Sequence, residues 1–124
     1  MSNWQIADVN EIPPAKEDWP ETWKSVRLHF GIAGFGVNAV TKDADNVLIP
    51  EHDETRTGQQ ELYFVHAGEV KATVDGEEHT LPAGSFLHCE PEATRRLEST
   101  ASPTTLLVIG GTPGKAFEVG GWEQ

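Results

Sequence analysis

The feature that most limits what this chain can become is its punctuation. From Val26 onward, glycines, prolines and Asp-Gly pairs interrupt the sequence so often that no stretch of 11 residues sustains a helical repeat of apolar positions. What lies between the breaks is short, β-branched and aromatic. "EVKATV", then Asp75-Gly76, then "EEHTL" spells a hairpin closed by the favoured two-residue turn. "VRLHFGIAGFGVNAV", "SFLHCE" after Pro82-Ala83-Gly84, "TRRLES" and "TTLLVIG" supply further strands. Gly31, Gly34 and Gly36 fall in the wrong order for a dinucleotide-binding loop, and no helical pattern follows them. Many short strands at near-regular spacing predict an all-β fold, a closed barrel or a sandwich.

The 124 residues suffice for one domain with a core of its own. Residues 1–25, with Pro13-Pro14 and Trp19-Pro20, read as an extended N-terminal arm, and 26–124 as the barrel. Trp4, Trp19 and Trp23 are expected to anchor the arm to the body, and Phe117 and Trp122 to dock the glycine-rich tail. Twenty acidic residues against nine basic ones give a net charge of -11. That field opposes nucleic acid and anionic lipid, so neither is expected as a partner. Cys89 is the single cysteine, which excludes an internal disulfide and suits a reducing compartment. With no signal-like or membrane-spanning apolar run, the expected location is the cytoplasm.

Two spacings carry a family resemblance. Glu61, "LYFVHA" and Gly68 match the second half of one motif; Gly76, "EEHTL", Pro82, Ala83 and Gly84 match the start of another. In this order the chain resembles the cupins over about residues 35–110. The resemblance implies an antiparallel jelly-roll β-barrel with one open end and a pocket inside. It also implies a homodimer, which would cover edge strands.

The family's metal-ligand positions are altered. Counting back from Glu61 places Glu54 and Arg56 where the resemblance implies two histidines. The third histidine position falls at Arg95, or at Arg96 or Thr94 if the preceding loop differs by one residue. A guanidinium cannot deprotonate to bind a cation. The expectation is therefore a metal-free quartet, with Glu54 and Glu61 facing Arg56 and Arg95. Arg56 and Arg95 would hold a small polar or anionic ligand, with Tyr63 adding a hydroxyl from the face of Glu61. Glu61 or Glu54 would move a proton, assisted by His88, in isomerase, epimerase or lyase chemistry. No cofactor is expected.

Two alternatives stand beside this reading. His52, Glu54 and Glu61 could form a facial set for Fe, Mn, Zn or Ni in a dioxygenase-like enzyme. The quartet could instead be structural, in a binding or sensing module without catalysis. His66 and His79 read as surface residues, His29 as one that packs or faces water, and Cys89, alternating with His88, cannot share its face.

Overall fold

A computed structural model describes residues 3–14 and 23–118. Among the described residues nine strands form two antiparallel sheets: β1 (Trp23–Ser25), β2 (Gly36–Lys42), β3 (Val47–His52), β4 (Gln60–Ala67), β5 (Glu69–Val74), β6 (Glu77–Pro82), β7 (Phe86–Cys89), β8 (Arg95–Ser99) and β9 (Thr104–Gly111). The first sheet runs β1-β2-β9-β4-β7 and the second β3-β8-β5-β6. Sequence-distant strands lie side by side, as β2 does with β9 and β3 with β8, which is the winding of a jelly roll.

The all-β expectation holds, and the Asp75-Gly76 turn appears where it was read. Both residues have positive φ, 48° and 84°, and Val74 pairs with Glu77 across them. Alternation then sorts the side chains. Tyr63, Val65, Val70, Ala72, Leu97, Leu106 and Val40 point inward and make one buried core. Gly68 sits at the β4–β5 corner at φ 81°, with Thr104 Cα only 2.7 Å from where a Cβ would stand. The glycine there is a steric requirement.

The start of the barrel departs from expectation. "VRLHF" is a helical turn, α1 (Val26–Phe30), and not the opening of a strand. The Ser25 side chain accepts from the Leu28 N–H at its start, and Gly31, at φ 72°, closes its end. The paired residues Trp23–Ser25 belong to the first sheet, although they fall in the stretch read as an arm. Trp4 stands exposed, whereas Ile12 is buried and the Lys24 ammonium donates to the Val9 carbonyl. Trp23 packs on the core. Trp19 and Trp122 lie outside the described residues. Among the described residues no helix is long and apolar enough to cross a membrane.

Candidate functional site

The site is built on one irregularity in an edge strand. In β3, Ile49 pairs with Leu97 and His52 with Arg95, so three steps on β3 match two on β8. The extra residue is a bulge at Pro50–Glu51. Proline has no N–H to offer a ladder and is tolerated at such a place on an edge. The bulge reverses the in–out order, and His52 takes the inward place that strict alternation would give Glu51. The Pro50 carbonyl then lies 2.8 Å from His52 Nδ1. A carbonyl only accepts, so Nδ1 carries the proton and Nε2 faces the barrel mouth.

Two carboxylates meet that nitrogen. Glu54 Oε2 is 3.1 Å away and Glu61 Oε1 3.7 Å. Glu61 projects inward from β4 opposite Gly110, whose missing side chain leaves it room: a Cβ there would be 3.4 Å from Glu61 Cγ. Arg95, completely buried, donates from Nη1 to Glu61 Oε1 at 2.9 Å and from Nη2 to the Glu90 carbonyl at 2.9 Å. Tyr63, also buried, donates its hydroxyl to the same Glu61 oxygen at 2.5 Å. Burial pushes the Tyr63 phenol far above its ordinary range, and the adjacent carboxylate pushes it further. Burial likewise raises the Cys89 thiol, with Arg95 opposing part of the effect.

The expected quartet is thus replaced by a different one. Arg95 holds the third position, while Arg96 turns outward to Glu98 at 2.7 Å. Arg56 is not in the barrel. The Glu54 carbonyl accepts from the N–H groups of Thr57 and Gly58, coiling residues 54–58 into a tight turn with Arg56 exposed upon it. Counting residues between motifs takes no account of this turn, which moves the guanidinium off the inner face. His52 stands in its place. His88 is also elsewhere: it pairs with Leu62 on the outer face of β7, half-exposed, while its neighbour Cys89 points inward. Asn38, which the sequence reading missed, lines the interior with Glu61, and its Oδ1 is buried without a hydrogen-bond partner among the described residues. Strand alternation in "GVNAV", with Val40 inward, could have found it.

His52, Glu54 and Glu61 place their ligating atoms within 4.8 Å of one another, the composition of a three-donor metal set. The surroundings suit a divalent cation poorly. Glu61 Oε1 already accepts from two donors, and one is a guanidinium that can neither deprotonate nor reach water. A dication would sit against that fixed positive charge. The residues as folded do not fit a resident metal.

Beside the cluster lies a cavity of about 340 Å³, walled by Trp23, Ile49, Pro50 and Val108 and ending on His52, Glu61 and Tyr63. A second chamber of about 310 Å³ shares Asn38 and Glu61 with it and runs under Phe117. The Phe117 ring docks against Gly36, where any Cβ would lie 2.9 Å from it, with the Arg27 guanidinium 5.6 Å from its centroid.

Residues 48–110 match the model of the cupin domain, and the chain belongs to that family. Solved structures agree on the fold. A cupin protein from Bacteroides fragilis superposes with a TM-score of 0.72 at 21% identity, over 97% of this chain and 93% of that one. A structure named as a sugar phosphate isomerase of the cupin superfamily from Silicibacter pomeroyi gives 0.67 at 20%, over 88% and 77%. A predicted oxalate decarboxylase from Thermotoga maritima gives 0.68 at 14%, over 86% and 97%. No curated protein matches the chain.

Proposed function

We propose that the barrel mouth is a metal-free acid–base site acting on a small polar ligand, in isomerase, epimerase or lyase chemistry. The observation that carries this reading is the buried Arg95 guanidinium, bonded to Glu61 and to the Glu90 carbonyl. It supplies, inside the barrel, a fixed positive charge that needs no ion. Arg95 and Tyr63 both donate to one oxygen of Glu61 and fix its orientation. The mobile proton belongs to His52 and Glu54. Because Nδ1 of His52 is committed to Pro50, only Nε2 can exchange a proton with a ligand, and Glu54, 3.1 Å away, receives or returns it. His52 therefore takes the acid–base part that the sequence assigned to His88. The neighbour named as a sugar phosphate isomerase supports chemistry of this type but shares only the fold at 20% identity.

A proton-exchange assay tests it. Protein stripped with chelator and assayed in deuterated buffer should wash deuterium into hydroxy or keto compounds at carbons next to a carbonyl. His52→Gln should abolish that exchange. Exchange restored only by adding Fe, Mn, Zn or Ni would overturn the metal-free reading.

The working unit is a homodimer. Leu62 and Phe64 of β4, Leu107 and Ile109 of β9 and Phe86 of β7 form an apolar patch on the outer face, with Phe64 and Phe86 rings 4.6 Å apart and Phe86 65% exposed. An uncharged face lets two strongly acidic chains approach. Sedimentation should give a dimer for the native chain and a monomer for Phe86→Glu; a native monomer would contradict it.

A further inference from the structure

A chain with 20 acids and nine bases has few cations to spare, and most are committed. Lys24, Arg27 and Lys42 donate to backbone carbonyls, Lys71 and Arg96 pair with Glu98, and Arg95 is spent on Glu61 and Glu90. Lys16 lies outside the described residues. Arg56 and Lys115 remain, and neither side chain has a hydrogen-bond or ion-pair partner among the described residues. Both line the same hollow, of about 350 Å³, together with Thr57, Gln59 and Thr112.

This convergence is built into the fold. Arg56 rides on the turn after β3, and Lys115 follows β9 in "TPGK". The Thr112 hydroxyl donates to the Thr57 carbonyl at 3.2 Å and ties the two loops together. The Lys115 N–H donates to the Thr112 carbonyl, and Gly114, at φ 72°, closes that turn. The hollow adjoins the chamber that holds Glu54 and Glu61, sharing Thr57, Gln59, Phe117 and Glu118 with it.

We infer that Arg56 and Lys115 form an oxyanion subsite at the rim of the mouth, which takes the phosphate or carboxylate of a hydroxylated small molecule. The guanidinium can bind two oxygens at once, the ammonium adds a point charge, and the Gln59 side-chain amide supplies a neutral donor. The remainder of the ligand reaches the adjoining chamber, whose Glu54 and Glu61 accept hydrogen bonds and so favour hydroxyls there. Arg56 thus keeps the anion-holding part read from the sequence, with Lys115 in place of the buried Arg95. The inference rests on reading the mouth as the ligand site, and it is independent of whether that site is metal-free.

Titration calorimetry on chelator-treated protein tests it, with inorganic phosphate, glycerol 3-phosphate, glycerate and neutral glycerol as probes. Glycerol 3-phosphate or glycerate should bind, and the tighter of the two identifies the anionic group. Arg56→Gln and Lys115→Gln should each weaken that probe about tenfold, a loss of one charge-assisted contact. Lys71→Gln, on β5 and outside the lining of the hollow, should leave it unchanged. Circular dichroism of each variant excludes misfolding as the cause. Equal binding by glycerol, unchanged binding in both variants, or no binding of any oxyanion would each overturn the subsite. Metal found at His52 would sink the metal-free reading and leave this one standing, because the two use different side chains.

Discussion

His52 and Arg95 are direct cross-strand partners on β3 and β8, and both aim at the same carboxylate oxygen of Glu61, at 3.7 and 2.9 Å. A bulge brings the imidazole inward, and burial keeps the guanidinium there. The consequences divide the charged residues into those the fold cannot lose and those it can.

Arg95→Met should be costly. It strands Glu61 beside the Tyr63 hydroxyl and leaves the Glu90 carbonyl with the Ala93 N–H alone, and breaking one partner of a buried pair costs about 3–5 kcal/mol. Arg95→Lys should rescue little, because one ammonium cannot span Glu61 and Glu90 as the fork does. Urea unfolding measures both.

Arg56→Ala should leave stability within about 0.5 kcal/mol of the native chain, since the side chain is exposed and without a partner among the described residues. The contrast between the two arginines in the same urea series separates the inner from the outer position. Equal losses would mean that Arg56 enters the barrel.

Tyr63 is the sole tyrosine, so its ionisation can be read directly from absorbance. Its phenol is raised above the ordinary value of 10.0 in the folded state. Sign follows from linkage: above pH 10 the unfolded chain loses this proton while the folded chain keeps it. Stability from this group is therefore complete below pH 10 and declines as pH rises beyond it. Phenolate absorbance should appear only together with loss of the folded circular dichroism signal. Tyr63→Phe should cost about 1.5–3 kcal/mol, the worth of a hydrogen bond to a charged group.

Gly68→Ala should fail to fold well. A Cβ there would stand 2.6 Å from the Pro103 carbonyl oxygen, which is backbone and cannot step aside, and the φ of 81° is itself strained for alanine. Expression with a collapsed or absent thermal transition is the expected readout. Gly76→Ala, at φ 84° but in open space, should be much milder.

Much of this was legible in the sequence because the signals were local. Asp75-Gly76 fixes a hairpin through positive φ, Gly68 fixes a corner through close packing, and two-residue alternation puts Tyr63 with Glu61. What escaped depended on backbone irregularity. The Pro50–Glu51 bulge shifts His52 by one place, and the turn over residues 54–58 lifts Arg56 out, and neither follows from counting residues between motifs. Helix α1 escaped because a serine cap and a glycine stop override the strand preference of Val26 and Phe30. The position of Lys115 depends on how the tail folds back over the mouth, a long-range contact that no local pattern encodes.

The buried Arg95 guanidinium beside Glu61 opposes a resident ion, and elemental analysis tests this most directly. Untagged protein, expressed in metal-supplemented medium and dialysed without chelator, should contain far less than one Fe, Mn, Zn or Ni per chain, and chelator should not lower its melting temperature. One tightly held transition metal per chain, lost in His52→Gln, would contradict it.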